Sequence, residues 1–219
     1  MKPGPDRPYF WLFATLAFVG LVADQTSKYF VFAKLYPGEA ESRARFDVIP
    51  NYFALQTNYS FTTDPGDQPL SFLRTISGVR LPEVNRGALF GWGNGDAESG
   101  GMNYFFALIS VLAGCFIVFW VSRPAVVRDR FLCLALGMIL GGTIGNFYDR
   151  IVFGGVRDFL HVYYESHIWP DFNIADCCLV CGACVLLMHS FLVSEPTNEP
   201  AVAETSAATM PAASPTNGV

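Results

Sequence analysis

The chain has 219 residues, 52% of them hydrophobic and 15% charged, with 14 basic against 19 acidic side chains and a formal net charge of −5. An ordinary soluble domain carries roughly 25% charged residues, so this deficit, together with a mean hydropathy of +0.33, excludes disorder over most of the chain and points to a membrane protein. The acidic balance excludes a phosphate-binding nucleic-acid partner, which needs a basic face.

A bilayer core of about 30 Å takes roughly 20 mainly apolar residues in a helix. Residues 9–32, 104–121, 131–148 and 174–193 meet that requirement. The first span carries Asp24, Gln25, Ser27 and Lys28 towards its end. Lys2 and Arg7 ahead of an apolar run ending at Ala23 also fit a secretory signal. Apolar residues resume after Lys28, however, and Leu21 is a poor cleavage-site residue, so a retained span is expected. Asp24 and Lys28 stand at i and i+4, the spacing of a local ion pair.

Residues 34–103 form a long connection. Residues 48–56 (VIPNYFALQ) suit a strand, and residues 57–67, with Pro65 and Gly66, read as a polar turn region. A small sheet lying on the outer membrane surface is expected. Arg123, Arg128 and Arg130 place the loop between the second and third spans in the cytoplasm. Lys2 and Arg7 put the N-terminus there, and four spans return the C-terminus to the same side. The expected fold is an all-α polytopic membrane protein, with four transmembrane helices and a small extracytoplasmic β-containing cradle. Residues 1–193 form the helical unit, with the cradle and an insertion at about 35–103. Residues 194–219 are rich in Pro, Ala, Thr, Ser and Glu and read as a disordered cytoplasmic tail.

An ionisable group at membrane depth costs at least a few kcal/mol and is a functional candidate by default. The third span ends with Asn146, Asp149 and Arg150 at i, i+3 and i+4, on one helical face at the outer interface. A capped helix end with Arg150 near the negative terminus is the plainer account of them. Gly141 and Gly145 form a small-xxx-small pair that admits a close neighbour. The fourth span opens on Asn173, a good N-cap, with Asp176 three residues on, where a carboxylate answers the free amides of the first turn. Between these spans, Asp158 lies among apolar and aromatic neighbours, 18 residues before Asp176. A loop of that size can bring both carboxylates together at the membrane edge. One then holds a proton while the other activates water, which is what metal-free peptide hydrolysis needs.

Other chemistries have weaker support. Cys177, Cys181 and Cys184 share a helical face but read as small packing residues. The six cysteines all sit in apolar runs, unlike a disulfide framework. His161, His167 and His189 lack metal-ligand spacing, and no nucleophile elbow, P-loop or dinucleotide fingerprint occurs.

These residues carry a resemblance to a known family. Ala23-Asp24-Gln25 with Ser27-Lys28, then Asn85-Arg86-Gly87-Ala88-Leu89-Phe90-Gly91, then Gly141-Gly142 through Gly145-Asn146 to Asp149-Arg150, then Val156-Arg157-Asp158-Phe159, and finally Phe172-Asn173-Ile174-Ala175-Asp176 appear in the order of the bacterial lipoprotein signal peptidases, signal peptidase II. The resemblance covers about residues 10–192. It implies an intramembrane aspartyl endopeptidase of the bacterial cytoplasmic membrane, with its site at the outer face. Asp158 and Asp176 are implied as the catalytic pair. Asn85, Asn146, Arg150 and Asn173 are implied as supports or substrate contacts, and Asp24 and Asp149 as structural residues behind them. The implied partners are diacylglyceryl prolipoproteins and membrane lipid, with no metal, cofactor or nucleic acid. Arg157 departs from the apolar residue common before the first aspartate, and is expected either to lower the pKa of Asp158 or to bind lipid phosphate. The stretch from Thr57 to Asn85 is longer than the family's. A small transporter or channel using intramembrane carboxylates is the alternative from a different class.

Overall fold

The computed structural model describes residues 8–63, 70–74, 80–87 and 100–192. Lys2, Arg7, residues 88–91 of the second motif and the tail at 194–219 lie outside the described residues. Four helices are long and apolar enough to cross a bilayer: α1 (Phe10–Lys34), α3 (Gly100–Val121), α5 (Arg130–Val152) and α6 (Ile174–Leu192). The short helices α2 (Ser71–Arg74) and α4 (Pro124–Val127) lie in the connections. The chain is a polytopic membrane protein, and large apolar side chains such as Phe18, Phe116 and Phe191 face outward, as a lipid solvent requires.

Helix α5 is central and packs against α1, α3 and α6. The expected small-residue pair explains its fit to α1. A methyl group on Gly141 would stand 2.8 Å from the Ala17 carbonyl oxygen. One on Gly145 would stand 2.6 Å from Asp24 Oδ2. Without side chains there, α5 approaches both the α1 backbone and the α1 carboxylate. Asp129 caps α5, accepting from the Phe131 and Leu132 amides at 2.9 and 3.1 Å. Its other oxygen lies 2.7 Å from His189 Nε2 on α6, tying two helices at the end of the bundle where Arg123, Arg128 and Arg130 lie.

Strands β1 (Arg43–Ile49) and β2 (Phe53–Thr63) form an antiparallel hairpin, with β4 (Leu160–Tyr164) on the other side of β2 and β5 (His167–Ile168) beyond it. Strand β3 (Arg80–Pro82) folds back onto the far half of β2. Of the turn region expected at 57–67, residues 57–63 are strand, since β2 runs through Thr63, and residues 64–67 lie outside the described residues; within the strand expected at 48–56 the chain reverses at Asn51, whose φ of 69° is left-handed. Asparagine tolerates that conformation better than most residues, so the reversal falls inside a stretch whose apolar composition suggested an unbroken strand. The β3 return is held by Arg80, which is buried and donates to the carbonyls of Gly38, Glu41, Tyr59 and Ser60.

Two apolar cores result. Phe13, Ile117, Val121, Val127, Cys133 and Leu136 fill the end bearing the Asp129–His189 tie. Val31, Phe32, Tyr59, Phe159 and Leu160 join the other end to the sheet. Between them lies a layer of buried charge.

Candidate active site

Three segments converge at the sheet end of the bundle. The last turns of α5 supply Asn146, Asp149 and Arg150. The first turn of α6 supplies Asp176. An extended segment leading into β4 supplies Asp158.

Asn173 caps α6 as its sequence position predicts, through a reciprocal box. Its Oδ1 accepts from the Asp176 amide at 3.0 Å, and Asp176 Oδ2 accepts from the Asn173 amide at 3.1 Å. The cap does more than end the helix, because Asn173 Nδ2 donates to Asp158 Oδ1 at 2.7 Å. One buried asparagine therefore holds both carboxyl groups. Asn146 Nδ2 donates to Asp176 Oδ1 at 2.8 Å, and Asn85 Nδ2 donates to Asp158 Oδ2 at 3.2 Å. Asn85 is itself fixed by two backbone bonds with Val156, each 2.8 Å. Both oxygens of each aspartate thus have a donor.

Burial, and then the charge of Asp176, push the Asp158 carboxyl up to about 7, while the bonds from Asn173 and Asn85 pull the other way. A carboxyl at that value exchanges its proton near neutral pH. The Arg150 guanidinium lies within electrostatic reach of both aspartates. It is held by Asn103 Oδ1 at 3.4 Å and the Gly87 carbonyl at 3.3 Å, with its charge over the Phe106 ring.

Behind the pair sits a second polar tier, fully buried. Lys28 Nζ lies 2.8 Å from Asp24 Oδ2 and 3.3 Å from Asp149 Oδ2, and donates to Asn146 Oδ1 at 3.2 Å. The local Asp24–Lys28 pair is present, but it is part of a larger assembly. Asp24 Oδ1 accepts from the Ala175 amide at 2.9 Å, the residue beside Asp176. Gln25 Nε2 reaches the Gly145 carbonyl and Asp149 Oδ1 at 3.0 and 3.2 Å. Arg157 departs from the expectation of a lipid-phosphate contact. Its side chain has no exposed surface and meets Asp149 Oδ1 at 2.9 Å between the rings of Phe153 and Tyr29. A guanidinium so enclosed has no access to lipid phosphate. Two acids and two bases therefore balance within the tier, as burial demands.

All eight sequence-derived site residues thus meet in one region. Asn103 and Arg157 were not among them, although an asparagine opening an apolar span and an arginine beside a candidate aspartate are the signals that mark them. Among the described residues, no group of three His, Cys, Asp or Glu side chains is arranged to hold a metal ion.

Residues 69–192 match a family model described as signal peptidase (SPase) II. A lipoprotein signal peptidase of Cellvibrio japonicus is 31% identical over 190 residues, covering 86% of this chain and 91% of that protein. Another, from Symbiobacterium thermophilum, is 31% identical over 178 residues, covering 81% and 93%. This chain belongs to the lipoprotein signal peptidase family. The fold agrees: a bacterial membrane enzyme solved by the in meso method at 2.3 Å has a TM-score of 0.60 at 21% identity, covering 86% of this chain and 93% of that one. As a family member the chain is a membrane peptidase.

Proposed function

We propose that the protein is an intramembrane aspartyl endopeptidase that removes signal peptides from diacylglyceryl-modified prolipoproteins, cutting on the N-terminal side of the lipid-bearing cysteine. The observation that carries this reading is the single asparagine, Asn173, hydrogen-bonded to both Asp158 and Asp176. Two carboxyl groups so tied share a proton. In the proposed cycle, the ionised member takes a proton from water as it attacks the scissile carbonyl, and the protonated member donates to the developing oxyanion. The proton acquired from water then passes to the amine nitrogen as the C–N bond breaks, and a hydroxyl of the collapsing gem-diol returns a proton to the other aspartate, restoring the pair. Asn85 and Asn146 hold the outer oxygens of the pair, so the carboxyl planes are set before substrate arrives.

Substrate enters sideways from the bilayer, because its lipid and its signal helix both reside there. We place the protein in the bacterial cytoplasmic membrane with both termini and the tail at 194–219 in the cytoplasm. This placement is supported by Arg123, Arg128 and Arg130, which lie at the end of the bundle opposite the aspartates. The sheet then faces outward as a cradle. Transport is disfavoured as a rival: the polar tier ends against the apolar core of Phe13, Ile117, Leu136 and Val127, and among the described residues no row of charged groups continues through it. Replacing Asp158 or Asp176 by Asn is expected to slow cleavage of a diacylglyceryl prolipoprotein in detergent by about 10²- to 10⁴-fold. Wild-type cleavage by both variants would refute the reading.

A further inference from the structure

His161 and Asp171 stand outside the polar tier and contact neither aspartate. His161 Nδ1 lies 2.6 Å from Asp171 Oδ1, and the imidazole is almost wholly buried on β4. The two residues lie on the two chain segments that carry the aspartates. His161 is three residues after Asp158, and Asp171 five before Asp176.

Nearest the aspartates those segments meet through an isolated bridge, Leu160 with Phe172; beyond it the Trp169 amide donates to the Val162 carbonyl at 2.9 Å and β4 pairs with β5. The backbone bonds of the bridge run from the Phe159 and Leu160 amides to the Phe172 carbonyl at 3.0 and 2.9 Å, and from the Phe172 amide to the Leu160 carbonyl at 3.2 Å. The pairing is irregular between this bridge and the Val162–Trp169 bond. One antiparallel step from the bridge brings 161 opposite 171, so the ionisable pair ties the two segments across that irregular stretch. Asn173 with Asp158 closes the other end. Gln56 reinforces the pair from β2: its amide donates to the Phe159 carbonyl at 2.9 Å, and its Nε2 donates to Asp171 Oδ2 at 3.3 Å, so it grips both segments. The remaining polar neighbours of His161 lie on the sheet face. Tyr163 stacks on the ring at 5.3 Å, and its hydroxyl donates to Asp47, which pairs with Arg45.

We propose that His161 and Asp171 are positioning residues, forming a clasp that fixes the spacing of Asp158 from Asp176. Helix α6 is anchored independently, by Asp24 on the Ala175 amide and by packing on α5. The N-terminal side of Asp158 is anchored by Arg157 on Asp149. On its C-terminal side the chain is held to β2 by the pairing of Leu160, His161 and Val162 with Leu55, Ala54 and Phe53, and to the segment of Asp171 and Asn173 by the Phe172 bridge, the Gln56 contact and the clasp. Opening the clasp therefore loosens that segment, with Asn173, against the sheet and changes the spacing of the aspartates while the bundle stays folded.

The inference rests on the aspartyl peptidase reading, and its test separates the two. His161→Ala, Asp171→Ala and the double variant are compared with wild type for cleavage of a diacylglyceryl prolipoprotein across pH. Each single variant is expected to lose about 10- to 100-fold in kcat with KM unchanged, as for a misplacement near 1 Å. The double variant loses no more than either single one. The alkaline limb of the kcat profile moves to lower pH, because a more distant Asp176 repels the Asp158 charge less. His161→Gln, which restores a donor to Asp171, recovers most of the rate. Hydrogen exchange at Phe159, Leu160 and Phe172 rises in the Ala variants whatever the chemistry of the aspartates. Unchanged exchange, an unchanged pH profile, or additive losses in the double variant would overturn the clasp. Inactive Ala variants with wild-type exchange would do so too. Full activity of Asp158→Asn would instead overturn the peptidase reading, leaving exchange to decide the clasp.

Discussion

Lys28→Met is the sharpest probe of the buried tier. Lys28 and Arg157 offset Asp24 and Asp149, all without exposed surface. Methionine matches the stem of lysine but leaves two acids against one base. Removing one partner of a buried pair costs about 3–5 kcal/mol. At roughly 2–4 °C per kcal/mol for a chain of this size, that is a fall in Tm of about 6–20 °C. Asp24→Asn added to Lys28→Met restores the balance, leaving Asp149 with Arg157, and is expected to recover most of the stability. Activity should not return with it. Lys28 donates to Asn146 Oδ1, and that contact keeps Asn146 Nδ2 facing Asp176. Without the ammonium the amide is free to turn over. Tryptophan fluorescence melts in detergent, paired with prolipoprotein cleavage, read the two effects separately. A single variant within about 1 kcal/mol of wild type, or a double variant less stable than the single one, would refute the charge balance.

Gly145→Ala places a methyl 2.6 Å from Asp24 Oδ2 and 3.2 Å from its Cγ. The forced shift is expected to cost about 1–3 kcal/mol and to weaken the Ala175 tie, seen as lower Tm and lower kcat. Asp158 sits at about 7 against an ordinary 3.8, so the folded chain keeps a proton that the unfolded chain releases. Stability is therefore lost as pH rises from about 4 to about 7 and is level beyond that. Asp158→Asn removes this titration, so its Tm relative to wild type should climb between pH 5 and pH 8; parallel curves would count against it. Loss of the shared proton also predicts that wild-type kcat falls above pH about 7.

The four spans were legible because lipid imposes one strong rule, length and apolarity together, and α1, α3, α5 and α6 follow it. The site was legible because its asparagines and aspartates occur at helix ends, where cap spacing is visible in sequence. The cap and the catalytic candidate proved to be one device at Asn173, so the two accounts of Asp176 were never exclusive. The sheet was less legible. Asn51 reverses the chain through one left-handed residue inside an apolar run, and β3 joins β2 from some twenty residues on, a pairing no local pattern announces. Arg157 was hard to place because its guanidinium pairs with Asp149, eight residues earlier in the chain. That placement depends on the rings of Phe153, the C-cap of α5, and Tyr29 on α1, which enclose it and are far apart in sequence.

The two-and-two charge tier also bears on how the chain enters the bilayer. Asp24 has its counter-ion four residues on in the same helix, and Asp149 has Arg157 just past the end of α5. Each half of the molecule thus carries its own neutralising partner. The first helix can leave the insertion machinery without waiting for the third, and the later pair can follow with its charges matched. The exchange of partners, with Lys28 reaching across to Asp149, happens only when the helices dock. The buried layer behind the paired aspartates thus completes its contacts only once α1 and α5 have docked.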